Sequence, residues 1–143
     1  MNYSYDEFTK GINHIVDDIK ADKFKFDYII GIARGGLIPA TVLAYRFKKP
    51  ILLIEWSNRD SGIKNISDEV YQIIQNHRIL LVDDILDSGL TVKELSKYIS
   101  NFKTAALVYN MKQDTHCDYY HIAIDRDVTK DWVIFWWDTE EIM

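Results

Sequence analysis

The stretch ILLVDDILDSGLT, residues 79–91, constrains the fold of this chain more than any other. Four apolar residues in succession, Ile79 to Val82, are typical of a strand that is buried on both faces, and such strands occur mainly in parallel sheets covered by helices. Two carboxylates, Asp83 and Asp84, follow directly, and a short polar turn leads into a helical pattern. The stretch therefore predicts a strand, a turn and a helix, with acidic side chains at the carboxyl end of the strand.

Similar units recur along the chain and predict its fold class. Further buried strands are predicted at 28–32, 50–56, 105–109 and 119–124, and helices at 6–21, 37–47 and 92–99. Strands that alternate with helices indicate an α/β fold with a mostly parallel, twisted sheet flanked by helices. Since the chain has 143 residues and shows neither a repeat nor a linker-like segment, we expect a single domain over 1–143.

One polar segment, 57–77, does not follow this alternation. It has many charges, a glycine at Gly62 and no strong hydrophobic period. We predict a functional loop here, and the alternative is a loosely paired hairpin.

The composition excludes several classes of protein. The longest apolar runs, such as Ile51 to Ile54, are far shorter than the roughly 20 residues that a membrane-spanning helix needs. A single cysteine, Cys117, excludes an internal disulfide framework and a cysteine cluster for zinc, and we expect it to pack in the core of a cytoplasmic protein. A net charge of −5 without a basic stripe argues against nonspecific nucleic-acid binding. We therefore expect small-molecule partners, without a nucleic acid or a membrane.

The residues behind the acidic pair suit a bound phosphate. In an open parallel sheet, ligands bind beyond the carboxyl ends of the strands, and the turn before a helix presents unpaired backbone N–H groups. This turn adds the hydroxyl groups of Ser88 and Thr91, and Gly89 lets the backbone approach a phosphate closely. The alternative is that Ser88 or Thr91 only caps the following helix.

The carboxylates suit the sugar of a ribose phosphate. Asp83 and Asp84 could accept hydrogen bonds from a vicinal diol, or hold Mg²⁺ that is shared with a polyphosphate. Asp87 could then face the reacting end of the sugar as a proton acceptor or as a stabiliser of positive charge. Phospho-receiver domains also carry LLVDD at a strand end, but there the pair lies near the N-terminus and no Asp-Ser-Gly follows it.

The stretch 79–91 resembles, position by position, the phosphoribosyl pyrophosphate signature of the type I phosphoribosyltransferases. The resemblance implies their fold, with a small hood and a mobile flap beside the sheet. It also implies that Asp83 and Asp84 bind the ribose hydroxyls and Mg²⁺, and that Asp87 lies by the purine N7 as an acid or base. The residues that would wrap the 5′-phosphate are Ser88, Gly89, Leu90 and Thr91.

A second glycine-rich turn, GIARGGLIPA, follows the predicted strand 28–32. The guanidinium of Arg34 and the backbone of Gly35 and Gly36 could grip a second anion, although glycine pairs are also frequent in plain strand-to-helix turns. This turn resembles the pyrophosphate loop of the same family, in which a peptide bond is often strained or cis. In that family the mobile flap would contain Arg59 and Lys64, and either residue could equally be solvated surface.

The C-terminal stretch KDWVIFWWD carries most of the aromatic residues that could contact a base. Clustered aromatic residues usually form core, but resemblance to the xanthine-guanine and hypoxanthine-guanine branch implies that Trp132 stacks on a purine. It also implies that the backbone of Val133 meets the base edge and that Asp138 lies near its exocyclic group. In this branch a strand-end lysine donates to the purine 6-oxo group; Lys112 is the candidate, with Asn110 as the alternative.

Together these features predict a Mg²⁺-dependent purine phosphoribosyltransferase of purine salvage. It would transfer the 5-phosphoribosyl group from phosphoribosyl pyrophosphate to guanine, xanthine or hypoxanthine, and members of this family are usually homodimers or homotetramers. One alternative is a regulator that senses phosphoribosyl pyrophosphate or a nucleotide without catalysis. Another is a phosphoribosyltransferase for a different base.

Overall fold

The backbone is described by a computed structural model over residues 1–57, 62–63 and 66–138, and side chains are described within these ranges except at 56–57 and 62–63. The helices are α1 (Tyr5–Asp22), α2 (Leu37–Phe47), α3 (Asp68–Asn76) and α4 (Leu90–Leu95). The strands are β1 (Asn2–Tyr3), β2 (Tyr28–Ala33), β3 (Ile51–Ser57), β4 (Gly62–Ile63), β5 (Arg78–Leu86), β6 (Asn101–Asn110), β7 (Tyr119–Ile124) and β8 (Ile134–Phe135). Over these ranges, every helix is too short or too polar to cross a membrane.

Strand β5, which carries the acidic pair, lies inside a six-stranded sheet with the order β4-β3-β2-β5-β6-β7. Its backbone pairs in parallel with β2 on one side and with β6 on the other. The short strand β4 pairs antiparallel with β3, and the five longer strands run parallel. This architecture confirms the predicted mostly parallel α/β sheet.

The side chains of β5 alternate between two hydrophobic clusters, which explains why its sequence is apolar on both faces. Leu80 and Val82 pack with the buried residues of α1 and α2. Ile79 and Leu81 belong to the cluster on the other face, which includes residues of α3 and α4 and also Cys117. Helices therefore cover both faces, as a parallel sheet requires.

Helix α1 extends the predicted 6–21 by one residue at each end. Ser4 is its N-cap, since the Ser4 side chain accepts a hydrogen bond from the backbone N–H of Glu7 at 3.1 Å. Lys23 is its C-cap and adopts the left-handed conformation, with φ 57°. The buried face consists of the apolar positions that the sequence pattern predicts: Phe8, Ile12, Ile15, Val16 and Ile19.

Segment 57–77 contains a helix, so the prediction of a loop throughout is wrong. Helix α3 begins after Ser67, whose side chain accepts a hydrogen bond from Val70 N–H at 3.2 Å, and Asp68 and Glu69 occupy its first turn. The antiparallel pairing of β3 with β4 agrees with the alternative of a hairpin. Arg59 and Lys64 lie outside the described residues, so their part in a flap stays a prediction.

Two other boundaries differ from the sequence prediction. Strand β5 continues through Asp83 and Asp84 to Leu86, because β6 runs beside it and pairs as far as Tyr109 with Leu86. The acidic pair therefore lies on the last part of an extended strand, held by its neighbour. The helix expected over 92–99 is the shorter α4, which begins at Leu90 and ends at Leu95.

A small second sheet, which the sequence did not predict, joins the two ends of the described chain. Strand β1 pairs in parallel with β8, so Tyr3 lies opposite Phe135. Helix α1 supports the C-terminal segment, since the ring of Phe8 lies 5.7 Å from Trp136 and 5.8 Å from Trp137. These contacts bring the aromatic segment 132–137 to the carboxyl end of β5.

Candidate active site

A cavity of about 250 Å³ lies where the carboxyl ends of β5 and β7 meet the C-terminal segment. It brings together five residues that the sequence analysis predicted for the site, Asp84, Asp87, Trp132, Val133 and Asp138. The other residues lining it are Ile85, Arg126, Ile134 and Phe135. The cavity is therefore acidic on the side of β5 and largely apolar on the side of the C-terminal segment.

The acidic pair is held by backbone hydrogen bonds from its own strand. Asp84 N–H donates to Asp83 Oδ1 at 2.8 Å, and Ile85 N–H donates to Asp84 Oδ1 at 2.7 Å. Burial raises the pKa of the Asp83 carboxyl well above its ordinary value, and the neighbouring Asp84 carboxylate raises it further. Burial also raises the pKa of Asp84, with a smaller contribution from Asp138. The pair is thus poised to gain from a nearby cation.

These donors fit a shared Mg²⁺ rather than a cage made by protein alone. Within the described ranges, His, Cys, Asp and Glu side chains form no group of three or more that could hold a metal ion. Mg²⁺ in enzymes is commonly held by one or two carboxylates together with substrate phosphates and waters. Asp83 and Asp84, two adjacent carboxyl groups whose pKa values are both raised by burial, match that arrangement.

Asp83→Asn is expected to stabilise the ligand-free protein. An aspartate whose pKa is raised by folding lowers stability as the pH rises through its ordinary value of about 4, because the unfolded chain then ionises more readily. Asparagine removes this cost and keeps the oxygen that accepts the Asp84 N–H. At about pH 7 we expect Tm to rise by about 2–4 °C, a gain that disappears below about pH 4.

Thermal melts over this pH range measure the effect of Asp83→Asn. Asp127→Asn is the matched control, because this carboxylate lies on the surface with a side chain 78% exposed. An unchanged or lower Tm for Asp83→Asn at neutral pH, with the control also unchanged, would contradict a cost of ionising the buried Asp83 carboxyl.

The predicted pyrophosphate loop packs directly against the acidic pair. A Cβ atom added at Gly35 would collide with the Asp84 carboxylate. One added at Gly36 would lie 2.5 Å from the Val82 carbonyl oxygen and 2.7 Å from that of Ile32. The peptide bond between Ala33 and Arg34 is cis. The absence of a side chain at both glycines therefore lets the loop backbone approach β5.

The predicted phosphate turn lies between β5 and α4. Gly89 adopts φ 78°, a conformation that favours glycine, and Thr115 Oγ1 donates to its carbonyl oxygen at 3.4 Å. Ser88 Oγ accepts a hydrogen bond from Leu90 N–H at 3.3 Å within the turn, whereas Gly89 is the N-cap of α4 and no side chain among the described residues caps this helix. This bond leaves the hydroxyl proton of Ser88 available to another acceptor.

Arg126 is a residue of the cavity that the sequence analysis missed. Its Nε and Nη2 atoms donate to the two carboxylate oxygens of Asp87, each at 3.0 Å. Its Nη1 atom donates to the carbonyl oxygens of Thr129 at 3.1 Å and Asp131 at 2.7 Å. The one available signal was its position, two residues after the β7 pattern and at the same sheet edge as Asp87.

The two candidates for the 6-oxo contact lie apart from the cavity lining. Asn110 is buried at the end of β6, where its Nδ2 donates to the Asp87 carbonyl oxygen at 3.1 Å and its Oδ1 accepts Lys112 N–H at 3.1 Å. Lys112 Nζ lies 3.8 Å from Asp125 and 3.9 Å from Asp127. Neither is among the described residues that line the cavity.

The aromatic segment divides into a core part and an exposed part. Phe135 is buried and stacks on Trp137, with ring centroids 4.7 Å apart. Trp132 is 83% exposed at the rim of the cavity, so its ring is free to stack on a ligand. Val133 is buried, and Asp138 Oδ2 accepts Phe135 N–H at 2.9 Å, which closes the turn that carries them.

Known proteins share this sequence pattern. A family model described as "Phosphoribosyl transferase domain" matches residues 4–141. The chain is 32% identical over 100 residues to an orotate phosphoribosyltransferase of Sulfurisphaera tokodaii, a match that covers 70% of this chain and 48% of that protein. It is 28% identical over 121 residues to a xanthine-guanine phosphoribosyltransferase of Gluconobacter oxydans, covering 80% and 70% respectively. This chain therefore spans about half the length of the orotate relative.

A solved structure shares the fold. The crystal structure of a purine phosphoribosyltransferase from Pyrococcus horikoshii superimposes with a TM-score of 0.77 and 25% sequence identity, covering 100% of this chain and 96% of that one. The curated relatives named above act on different bases, so likeness alone leaves the base open.

Proposed function

Because this chain belongs to the phosphoribosyltransferase family, we propose that it transfers the 5-phosphoribosyl group from phosphoribosyl pyrophosphate to a 6-oxopurine, with release of pyrophosphate. The observation that carries the proposal is the cavity in which Asp84 and Asp87, from the signature stretch, face Trp132, Val133 and Asp138. One wall carries the groups suited to a sugar, and the opposite wall carries an exposed indole suited to a flat base.

Each wall of the cavity has a separate task in this proposal. N9 of the purine attacks C1′ of the ribose while the bond from C1′ to the pyrophosphate oxygen breaks. Positive charge develops at the sugar, and the carboxylates on β5 stabilise it. Asp87 accepts the proton that leaves N7, and the ring of Trp132 covers the face of the base and holds it in line with C1′.

Asp83 and Asp84 would hold Mg²⁺ together with the ribose hydroxyls and the pyrophosphate. The ion would supply positive charge that stabilises the leaving group. The loop 34–36 would bind the same pyrophosphate through Arg34 and the backbone N–H of Gly35, because it packs against Asp84. The N–H of Gly36 donates to the Ile32 carbonyl oxygen at 2.8 Å and holds the loop in place. Ser88 to Thr91 would hold the 5′-phosphate at the other end of the sugar.

The experiment that tests the proposal supplies phosphoribosyl pyrophosphate and Mg²⁺ with one base at a time. Guanine, xanthine, hypoxanthine, adenine, uracil and orotate are compared, and nucleotide and pyrophosphate are separated by chromatography. We expect nucleotide from at least one 6-oxopurine and loss of product when a chelator removes Mg²⁺. Nucleotide from orotate or adenine alone would contradict the assignment of the base.

A second candidate function is a sensor of phosphoribosyl pyrophosphate or of a nucleotide. It is favoured by one observation: both carboxylate oxygens of Asp87 already accept hydrogen bonds from Arg126. These bonds make Asp87 a weaker acceptor for a proton from the base, as expected of a protein that binds without catalysis. Its mark would be binding by calorimetry without product from any base. The same base panel therefore separates the enzyme from the sensor.

The setting proposed for this activity is purine salvage in the cytoplasm, by a homodimer or homotetramer. The single buried thiol of Cys117 and the net charge of −5 agree with a reducing compartment and small-molecule partners. Light scattering measures the mass of the assembly, and a monomer would contradict the oligomeric part of the proposal.

A further inference from the structure

We infer that Arg126 takes the place of the strand-end lysine and donates the hydrogen bond that reads the 6-oxo group of the base. The inference rests on the proposed function and names the residue that selects oxopurines over aminopurines. It begins from the two expected donors, neither of which is among the described residues that line the cavity. Lys112 Nζ lies 3.8 Å from Asp125 and 3.9 Å from Asp127. The side-chain amide of Asn110 donates to the Asp87 carbonyl oxygen and accepts a hydrogen bond from Lys112 N–H.

Arg126 reaches the cavity from the neighbouring strand. Asn110, the last residue of β6, lies opposite Ile124, the last residue of β7. Arg126 follows two positions later, and its guanidinium lines the cavity together with Trp132 and Asp138. Its side chain is 23% exposed, so its charge is partly shielded from water. The guanidinium of Arg126, which follows β7, therefore lies on the side of the cavity proposed to bind the base. The family pattern instead predicts a lysine at the end of β6 for this position.

The guanidinium retains a donor for a ligand. It carries five N–H groups, of which four donate to Asp87, Thr129 and Asp131. The remaining N–H belongs to Nη2, the atom that also binds Asp87 Oδ2, and it has no acceptor among the described residues. A donor and a carboxylate oxygen are therefore presented side by side.

This pair matches one edge of a 6-oxopurine. O6 and N7 lie next to each other on that edge, and arginine commonly recognises them in guanine, whereas adenine has a donating amino group in place of O6. With N7 protonated, Asp87 would accept from N7 while Nη2 donates to O6. An adenine amino group at the same position would face an N–H group, so it would lose the hydrogen bond and leave the donor unpaired.

Arg126→Gln tests the inference by the ratio of kcat/KM for hypoxanthine to that for adenine. We expect the variant to narrow the ratio roughly 10- to 100-fold, since a glutamine amide can present either a donor or an acceptor. Calorimetry with inosine 5′-monophosphate and adenosine 5′-monophosphate should show the same narrowing in affinity. Lys130→Gln removes a cation from the same exposed loop and is the matched control.

Three results would overturn the inference. The first is an unchanged ratio with an equal loss of kcat for both bases, which would mean that Arg126 acts only through Asp87. The second is an equal narrowing of the hypoxanthine-to-adenine ratio in Lys130→Gln, which would mean that the ratio depends on the charge of the loop and not on a contact of Arg126 with the base. The third is narrowing in Lys112→Gln instead, which would assign the 6-oxo contact to Lys112.

Failure of the proposed function has a different signature. A wild-type protein that makes no purine nucleotide would contradict that function, while the two nucleotide affinities in Arg126→Gln would still decide the role of Arg126. If Arg126→Gln does not fold, as judged by its thermal midpoint, Arg126→Met gives the same test. Its unbranched side chain has no N–H group that could donate to the 6-oxo group.

Discussion

Asp87→Asn is expected to lower kcat about 10²- to 10⁴-fold, with a much smaller change in the binding of phosphoribosyl pyrophosphate and base. The asparagine amide is neutral and cannot take the N7 proton, yet it has almost the same shape as the carboxylate. It can still accept one of the two hydrogen bonds from Arg126 that hold the native side chain at 3.0 Å. The loss should therefore appear in turnover, as expected for an interaction made mainly in the transition state.

Steady-state kinetics and calorimetry on the same samples of Asp87→Asn separate these effects. Asp127→Asn removes an exposed carboxylate from the neighbouring loop and should behave like the wild type. Wild-type turnover in Asp87→Asn would remove its assigned role, and a loss of binding that matches the loss of kcat would make Asp87 a structural residue.

The pattern of β5 shows why much of the fold can be predicted from sequence. Ile79 to Val82 alternate between two apolar clusters, so four adjacent apolar residues are enough to indicate a strand that is buried on both faces. The same local information predicts α2 over 37–47 and the buried face of α1. Asp84 and Asp87 were also predictable as cavity residues, because the carboxyl end of a parallel strand is where ligands bind.

Features that depend on distant partners were less accessible. Arg126 and Asp87 lie 39 residues apart, and nothing local to either indicates the pairing. Strands β1 and β8 have two residues each, too few for a recognisable period, and they form only because α1 and the aromatic segment meet. Helix α3 was missed for another reason, because the prediction for 57–77 rested on its polar composition and weak hydrophobic period, and the Ser67 cap that begins the helix was not considered.

Gly36→Ala is expected to destabilise the protein by about 3 kcal/mol, near the upper end for an inserted methyl group. The new Cβ atom would lie 2.5 Å from the Val82 carbonyl oxygen, 2.7 Å from that of Ile32 and 3.0 Å from the Asp83 Cα. All three atoms are backbone atoms of β2 and β5, two adjacent strands inside the sheet, so relief requires the strands to shift. Thermal denaturation should show Tm lower by roughly 6–12 °C.

Gly35→Ala is the matched comparison, because it inserts the same methyl group one residue earlier in the same loop. Here the collision is with the Asp84 carboxylate, the far end of a side chain that can rotate away. We therefore expect stability to fall by less than about 1 kcal/mol, while kcat/KM for phosphoribosyl pyrophosphate falls at least about tenfold because the displaced carboxylate no longer faces the sugar. Equal losses of stability in the two variants would mean that the whole loop shifts to accommodate either methyl group, and would contradict the distinction between backbone and side-chain collisions. A stable and fully active Gly35→Ala protein would separate Asp84 from the pyrophosphate loop and remove the loop from the proposed site.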